Sequence, residues 1–204
     1  MNIITISREF GSGGREVGKR LADALGYAYY DREILTAMAQ STQMDESYLE
    51  KILEQGAAAA QYPIAFGRTF SQVSYFSNLS RTLMAKQTAL IRKIAKAGNC
   101  VIVGRNANVI LAGQNPLRIF VYAALESRIQ RCKERETENP TRSDQEYEKQ
   151  IKEVDQLRAK NHDLLSPYRW GDMRGYDLCL NTSHLEIRKM IPAVAQYATE
   201  WFAK

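Results

Sequence analysis

Residues 3–19 read Ile-Ile-Thr-Ile-Ser-Arg-Glu-Phe-Gly-Ser-Gly-Gly-Arg-Glu-Val-Gly-Lys, and this stretch decides the fold of the chain. Its first four residues are mostly β-branched, which predicts a short buried strand, and the glycines that follow predict a turn. From about Arg15 apolar residues recur at helical spacing, which predicts a helix that ends at Gly26. A strand, a glycine turn and a helix in this order can hold a phosphate, because backbone N–H groups and the positive end of the helix dipole point at the anion.

The glycine turn departs from the standard phosphate loop, G-x-x-x-x-G-K-[ST], at its two chemically active positions. When Gly13 is set on the second glycine of that pattern, Arg8 stands at the first. Gly14 then replaces the lysine, and Arg15 replaces the serine or threonine. The pattern alone leaves two interpretations open, a modified phosphate loop and an ordinary turn between a strand and a helix.

The composition is that of an ordinary soluble globular protein, and its positive net charge suits an anionic ligand. Of its 204 residues, 45% are hydrophobic and 25% are charged, and this length suits one large domain or a core with inserts. The apolar runs fall short of the roughly 20 residues that span a bilayer, and the N-terminus lacks the features of a signal peptide. The net charge is +5, but acidic residues interleave with basic ones. We therefore expect no membrane and no nucleic-acid partner, although charge alone leaves a nucleic-acid-binding protein open.

The cysteines predict free thiols rather than a metal site. Cys100, Cys132 and Cys179 lie far apart, without the spacing of metal ligands. Because two of them fall in apolar runs that are typical of strands, we expect buried thiols in a reducing compartment, and therefore a cytoplasmic protein. His162 and His184 have no partner at ligand spacing, so surface or capping positions are expected for both.

Strands alternate with helices along the rest of the chain. Strands are predicted at 27–31, 100–103, 117–123 and 176–180, and long helices at 79–97, 143–165 and 185–202. This alternation predicts a parallel sheet that is covered on both faces. Asp45 is predicted to cap a further helix. Residues 55–78 are the least regular region, and the aromatic side chains of segment 62–76 are expected to pack rather than to stack on a base.

Several further motifs follow the glycine turn. They are Tyr30-Asp31-Arg32, Val103-Gly-Arg-Asn106, the strand 117–123 with its arginine-bearing helix, Asp155-x-x-Arg158, and Trp170-Gly-Asp172 with segment 176–182. In this order, and over nearly the whole chain, they resemble the cytidylate kinase-like family, a branch of the P-loop nucleoside monophosphate kinases. The branch that the sequence most resembles carries a Ser-Arg-Glu-x-Gly-Ser-Gly-Gly loop, so the unusual loop is typical of that branch.

The resemblance implies an α/β fold of the P-loop NTPase type. Its core is a three-layer sandwich with a five-stranded parallel sheet and helices on both faces, to which a helical monophosphate-binding insert and a lid are added. On this basis residues 1–204 form a single kinase-like domain with a core at 1–30, 79–131 and 168–204. The insert is expected at about 31–78 and the lid at about 132–167.

The resemblance also assigns candidate site residues. Those with a catalytic role are Arg15, Arg105, Arg158 and Asp155. Those that bind the cofactor are Arg8, Gly11, Ser12, Gly13, Gly14, Arg15 and Glu16. Those that bind the substrate are Asp31, Arg32, Arg105 and Asn106. The lid arginines are Arg128, Arg131 and Arg135. No metal ligands are assigned.

Arginine is the residue type that phosphoryl transfer needs, since its fork binds phosphate oxygens bidentately and offsets the charge on the transferring group. The opposite interpretation of the arginines at 128, 131 and 135 is a solvated helix face, because these positions share one side of a helix. Arg15, or Lys19 one turn further on, would have to replace the missing lysine. Ser12, Asp31 or water would have to hold the metal. Asn106 stands where true cytidylate kinases have an aspartate, so one negative charge is lost.

Besides the nucleic-acid-binding protein that charge alone leaves open, two functions remain. The first is a kinase that uses ATP and Mg²⁺ to phosphorylate a nucleoside monophosphate of the CMP or dCMP type, or a related small phosphate-bearing acceptor. The second is a nucleotide- or phosphate-binding regulatory protein that has lost phosphoryl transfer, which the replaced lysine and hydroxyl suggest. A homo-oligomer through residues 56–97 is also possible.

Overall fold

The computed structural model describes residues 1–55, 70–136 and 142–203, and these residues form one parallel sheet between helical layers. The strands are β1 (Ile3–Arg8), β2 (Ala28–Tyr30), β3 (Cys100–Val103), β4 (Leu117–Tyr122) and β5 (Leu178–Asn181). Their order across the sheet is β2-β3-β1-β4-β5, and neighbouring strands are parallel. The predicted five-stranded parallel sheet is therefore confirmed.

Helices cover both faces of this sheet. They are α1 (Gly14–Leu25), α2 (Arg32–Thr42), α3 (Glu46–Gln55), α4 (Phe70–Ala97), α5 (Ala107–Ile110), α6 (Leu125–Arg135), α7 (Asp144–Asp163) and α8 (Ile187–Phe202). Helices α1 and α8 pack on one face, and α2 to α5 contribute to the core on the other. Helices α6 and α7 pack on each other and on Phe10 of the glycine turn. The three-layer prediction is confirmed.

The central strand β1 shows why the sequence forms this sandwich. Ile4 and Ile6 belong to the core cluster under α1 and α8, whereas Ile3 belongs to the cluster under α2 to α5. All three side chains are at most 1% exposed. A strand with apolar residues on both faces is stable only between two helical layers, which is the environment of an inner strand in a parallel sheet. The carboxyl end of β1 therefore lies at the middle of the sheet edge, where the glycine turn begins.

The predicted helix boundaries are confirmed where the capping residues act. Gly26 ends α1 in the left-handed region, with φ of +68°. Asp45 precedes α3, and its carboxylate accepts hydrogen bonds from the backbone N–H groups of Ser47 and Tyr48 at 2.9 and 3.2 Å. Both are local signals that need no tertiary contact, which is why the sequence is sufficient to predict them.

Two predicted boundaries are wrong. Helix α4 begins at Phe70, earlier than residue 79, because the β-branched and aromatic residues and the serines in 70–78 have low helix propensity and conceal the extra turns. The last strand begins at Leu178 rather than at residue 176. Tyr176 instead ends a short 3-10 turn at Met173–Gly175, and its ring packs on Phe120 with centroids 4.9 Å apart. Tyr176 belongs to a strand-like run in the sequence, but it is buried at the end of a turn instead of in the strand.

The expectation of three buried thiols is correct for one cysteine. Cys100 is buried in β3, Cys132 is partly buried, and Cys179 is exposed. Cys179 lies on β5, which is an outer strand of the sheet, so alternate side chains of this strand face away from the core.

Some predictions fall on residues outside the described ranges. Residues 56–69 carry the first part of the aromatic segment 62–76 and of the predicted oligomer contact at 56–97, and for residues 70–77 only the backbone is described. Residues 137–141 belong to the predicted lid. Among the described helices, none is long and apolar enough to cross a membrane.

Candidate functional site

The glycine turn between β1 and α1 has a backbone that side chains would prevent. Gly11 and Gly13 have φ values of +78° and +81°. A Cβ atom on Gly11 would lie 2.9 Å from the carbonyl oxygen of Arg128, and one on Gly13 would lie 2.3 Å from the Cδ1 atom of Ile187. Both glycines are therefore required by backbone conformation and by space. Ser12 between them is fully buried, and its hydroxyl donates to the carbonyl of Glu9 at 2.8 Å.

A backbone carbonyl of the turn is bound by side chains from α6 and from the end of β5. The Arg131 guanidinium donates to the carbonyl oxygen of Ser12 at 3.3 Å and to the hydroxyl of Thr182 at 3.1 Å. The buried Thr182 hydroxyl in turn donates to the Ser12 carbonyl at 2.7 Å. Arg131 is predicted to be a lid arginine, and in the structure its guanidinium binds the backbone of the turn.

A second buried arginine ties the turn to α7. Arg128 is 7% exposed, donates to the carbonyl of Phe10 at 2.7 Å, lies 3.3 Å from Glu9 and pairs with Asp155. The other oxygen of Asp155 accepts the Phe10 N–H at 2.8 Å. Asp155 therefore contacts the loop backbone and an arginine. Burial raises the pKa of Glu9, against the opposing effects of the Ala123 N–H and of Arg128.

The alternative of a solvated helix face is contradicted for two of the three α6 arginines. Arg128 is buried and Arg131 is half-buried, and both bind the turn. Only Arg135, at the end of the helix, is exposed, and it lines the cleft above the glycines.

Arg8 is a mostly enclosed cation of the candidate site. Its side chain is 14% exposed, and its guanidinium lies 3.6 Å from the Asp31 carboxylate. Asp31 also pairs with Arg15, whose Nε atom is 2.7 Å from the other oxygen. Burial, and then the positive charge of Arg158, lower the pKa of Arg8. One carboxylate is thus shared by two guanidinium groups, which leaves excess positive charge at the end of β1.

Two further arginines reach the same place from other elements. Arg105 follows β3 and pairs with Glu50 of α3 at 3.3 Å. Arg158 of α7 donates to the carbonyl oxygen of Arg8 at 3.1 Å and lies 3.7 Å from Asp155. The structure therefore brings together the arginines at 8, 15, 105 and 158, which the sequence assigned to phosphate or substrate.

These arginines separate two adjoining clefts. The loop cleft is lined by residues of the glycine turn and of the surrounding helices. Those of the turn are Glu9, Phe10, Gly11, Gly13 and Gly14, and the others include Arg32 of α2, Arg135 of α6 and Val154 of α7. The β3 cleft is lined among others by Ser7, Leu53, Met84, Gln87, Gly104, Arg105, Asn106, Asn161 and Trp170. Arg8, Arg15 and Arg158 line both clefts, as does Glu50. These three arginines and Glu50 therefore lie where the two clefts meet.

Two residues near the loop have other partners. Glu16 was predicted to bind the cofactor, but it pairs with Arg20 one turn along α1 at 2.8 Å and does not line the loop cleft. Lys19 pairs with Asp23 on the outer face of the same helix, more than half exposed. Lys19 lines neither cleft.

The predicted substrate residues divide between the clefts. Asp31 is buried at the start of α2 and bound by two arginines, whereas Arg32 is exposed at the rim of the loop cleft. Asn106 lines the β3 cleft, has φ of +54° and donates to the carbonyl of Asn161 at 3.2 Å. The side-chain amide of Asn106 therefore links the end of β3 to α7 by donating this hydrogen bond. An aspartate carboxylate at the same position could not donate it.

The expectation for one histidine is wrong. His162 is 2% exposed, its Nε2 atom lies 3.2 Å from Nδ2 of Asn108, and its ring stacks on Tyr176 with centroids 6.4 Å apart. His184 is exposed, as expected. A lone histidine in a polar helix gives no sequence signal for such burial, because the partners come from α5 and from the turn before β5.

The family of the chain follows from its match to a family model. The model described as the cytidylate kinase-like family matches residues 3–184, which include the glycine turn and the arginines of both clefts. The chain belongs to the cytidylate kinase-like family. The resemblance seen in the sequence is thereby confirmed.

Curated relatives and solved structures agree with membership of the cytidylate kinase-like family. A cytidylate kinase of Herpetosiphon aurantiacus is 29% identical over 154 residues, which cover 63% of this chain and 67% of that protein. One of Streptococcus suis is 25% identical over 223 aligned positions, covering 97% and 96%. An uncharacterized protein from Eubacterium ventriosum matches with a TM-score of 0.68 at 24% identity over 98% of this chain and 99% of that one. A shikimate kinase from Bacteroides thetaiotaomicron gives 0.58 at 14% identity over 100% and 99%.

Together these matches show a P-loop kinase fold and support a nucleotide kinase-type role. The cytidylate kinase-like family in general uses ATP and Mg²⁺, and the residues of this chain fit the two groups unequally. Gly11 and Gly13, both with left-handed φ, line the loop cleft directly before the N-terminus of α1. Such a cradle of backbone amides fits the phosphates of a nucleotide.

The described side chains fit Mg²⁺ less well. Asp31 is bound by two arginines, and the Ser12 hydroxyl is buried and donates to a carbonyl. Within residues 1–55, 70–136 and 142–203, no group of three acidic, histidine or cysteine side chains could hold a metal ion. These residues therefore provide no dedicated metal site, and the metal expectation for Ser12 and Asp31 is not supported by their contacts.

Sequence reasoning missed Glu50 and Gln87, which line the β3 cleft. Glu50 reaches Arg105 across 55 positions of sequence, so no spacing could reveal the pair. Gln87 is buried on α4, and the sequence pattern of this helix predicts only packing. Arg8, in contrast, is predicted from the sequence, because it occupies a glycine position of the standard loop.

Proposed function

We propose that this protein is a cytidylate kinase-like phosphotransferase. It transfers the γ-phosphate of ATP to a nucleoside monophosphate of the CMP or dCMP type, or to a related small phosphate-bearing acceptor. The observation that carries this proposal is the position of Arg8, Arg15 and Arg158, which line both the loop cleft and the β3 cleft. Phosphoryl transfer needs a donor site and an acceptor site in line, with cations between them.

In this proposal the donor nucleotide lies in the loop cleft. The backbone N–H groups of the glycine turn face its phosphates, and the N-terminus of α1 adds its dipole. Arg131 and Thr182 hold the carbonyl groups of the turn on the opposite side, so the amides are fixed before the ligand binds. Arg128 and Asp155 act as positioning residues, because they fix the backbone at Phe10.

The acceptor lies in the β3 cleft, with its phosphate near Arg105. An oxygen of the acceptor phosphate attacks the γ-phosphorus, a new P–O bond forms, and the bond between the γ-phosphorus and the bridging oxygen breaks. ADP leaves with the bonding electron pair, and an ionised acceptor phosphate needs no general base. Arg15 and Arg158 would offset the charge on the transferring group, which is the main contribution that a protein makes to this reaction. Residues 31–78 and 132–167 are proposed to form the insert and the lid.

Release of ADP in a coupled assay tests the proposal. The acceptors are CMP, dCMP, UMP, AMP and a non-nucleotide acceptor, each with ATP and MgCl₂. We expect turnover to be highest with CMP or dCMP and to fall about 10²–10³-fold in Arg158→Ala, the loss typical of one preorganised donor. Arg188→Ala is the matched control, because Arg188 is exposed and pairs with Glu186, two residues before it at the start of α8.

Absence of turnover with every acceptor would contradict the proposal. If ATP then still raised the melting temperature without Mg²⁺, the protein would be a nucleotide-binding regulator. A cytoplasmic location and self-association through residues 56–97 remain predictions.

A further inference from the structure

The side chain of Arg8 lies against Gly14, the residue at the lysine position of the standard phosphate loop. Gly14, the first residue of α1, stands at the lysine position. A Cβ atom on Gly14 would lie 2.5 Å from the Cβ and 2.8 Å from the Cγ of Arg8. Real Cβ atoms do not approach this closely, so a side chain at one of these two positions excludes a side chain at the other.

A second glycine makes room for the charged end of the same side chain. Gly104 follows β3, and a Cβ atom on it would lie 1.7 Å from Nη1 and 2.7 Å from Cζ of Arg8. The stem of Arg8 thus passes over Gly14, and its head lies against Gly104. Between these two contacts the side chain runs from the loop cleft to the β3 cleft, both of which it lines.

The other cations near the turn are less suited to the role of the lysine. Arg15 is nearly half exposed, and its Nε atom is bound to Asp31 at 2.7 Å. Lys19 pairs with Asp23 outside the clefts. The guanidinium of Arg8 is mostly buried, and its nearest carboxylate is 3.6 Å away and already shared, so an anion between the clefts would complete its environment.

We propose that the cation of this phosphate loop has moved from the helix to the strand. Arg8 binds the transferring phosphoryl group in place of the missing lysine, and Gly14 and Gly104 are glycines because its side chain needs their space. The two departures from the standard loop are then a single exchange. Arg8 becomes a catalytic residue, whereas Gly14 and Gly104 are positioning residues. This inference rests on the proposed function.

A reciprocal exchange of residues tests it. The variants are Arg8→Gly, Gly14→Lys, the double variant Arg8→Gly/Gly14→Lys and its matched control Arg8→Gly/Gly14→Ala. Each is measured for kcat, for KM and for ATP affinity by calorimetry, and its folding is checked by melting temperature. The two double variants have the same backbone and the same space at position 8. They differ only beyond Cβ at position 14, where one has an ammonium group.

We expect Arg8→Gly to lower kcat about 10²–10³-fold, as loss of a preorganised cation does. Gly14→Lys alone is expected to be as impaired, because its side chain meets Arg8. The double variant with lysine should recover at least about tenfold in kcat over the control with alanine, since the ammonium group restores the lost cation. A purely structural role of Arg8 would give the two double variants equal kcat.

The outcomes separate this inference from the proposed function. If the wild type turns over and Arg8→Gly retains its kcat, the inference is overturned and the proposed function stands. If the wild type does not turn over, the proposed function fails, and the same four variants are compared by ATP affinity. Recovery of affinity by lysine but not by alanine then supports Arg8 as the phosphate-binding cation, and equal affinities overturn it. Arg8→Met keeps the stem without the charge and replaces Arg8→Gly in the comparison with wild type if the glycine variant does not fold.

Discussion

Replacing Gly104 by alanine is expected to reduce turnover much more than stability. The added Cβ atom would lie 1.7 Å from Nη1 of Arg8, whereas ordinary contact begins at 3.4 Å. The guanidinium must therefore retreat by well over 1 Å, which a flexible side chain can do at small cost in folding free energy. Misplacement of a reacting group by roughly 1 Å lowers a rate by about 10²-fold, and we expect a loss of this size in kcat.

The chain offers a matched control for the backbone strain that alanine introduces. Gly104 has φ of +76°, and Gly26 at the end of α1 has φ of +68° with nothing within 4 Å of an added Cβ atom. Each alanine costs about 1–2 kcal/mol for the left-handed conformation. In a chain of this size that lowers the melting temperature by about 2–8 °C in either variant. Only Gly104→Ala brings a methyl group against Arg8, so only this variant should lose turnover.

The assay is steady-state ADP release with the preferred acceptor, beside thermal unfolding of both variants. In an Arg8→Gly background the methyl group at position 104 meets no guanidinium. Gly104→Ala should therefore cause little further loss of kcat there, and the two substitutions should be non-additive. Equal kcat values for wild type, Gly104→Ala and Gly26→Ala would refute the reasoning, as would the same loss in both alanine variants.

Two further predictions concern the scaffold of the site and its surface. Arg128→Met leaves Glu9 and Asp155 without their shared partner, so we expect urea denaturation to show a loss of about 3–5 kcal/mol, against about 0.5 kcal/mol or less for the exposed Arg188→Met. A loss equal to that of the control would mean that the ion pairs of Arg128 with Glu9 and Asp155 contribute nothing to the free energy of unfolding. In the native protein Cys179 is expected to react before Cys100 with a disulfide reagent at pH 8, because Cys179 is exposed whereas Cys100 is buried and burial raises the pKa of its thiol to about 11; faster labelling of Cys100 would contradict the assignment of β3 to the interior.

The sandwich is predictable from the sequence because its signals are local. Runs of β-branched residues mark the inner strands, and Gly26 and Asp45 mark the ends of helices within a few residues of their own positions. Cys179 shows where this reasoning fails. An apolar run predicts a strand equally well at the centre and at the edge of a sheet, and only the strand order decides which side chains are buried.

The candidate site is predictable in its members but not in their contacts. The motif order identified the arginines at 8, 15, 105 and 158, which the fold brings together from β1, α1, the end of β3 and α7. Arg128 was expected to face a phosphate or the solvent, yet it is buried against Glu9 and Asp155. Glu9 and Asp155 lie 119 and 27 positions from Arg128, so neither pair leaves a periodicity in the sequence. The contact between Arg8 and Gly14 depends on the direction of the Arg8 side chain, which the sequence does not show.

Direct detection of the transferred phosphate tests the central claim, that a phosphoryl group passes from the loop cleft to the β3 cleft. The measurement is ³¹P NMR of ATP, MgCl₂ and CMP or dCMP with catalytic amounts of the wild-type protein. The account predicts that the γ-phosphate resonance of ATP declines while the two resonances of the nucleoside diphosphate product grow in step with those of ADP. ATP that stays unchanged, or that yields only inorganic phosphate while the acceptor remains a monophosphate, would contradict it.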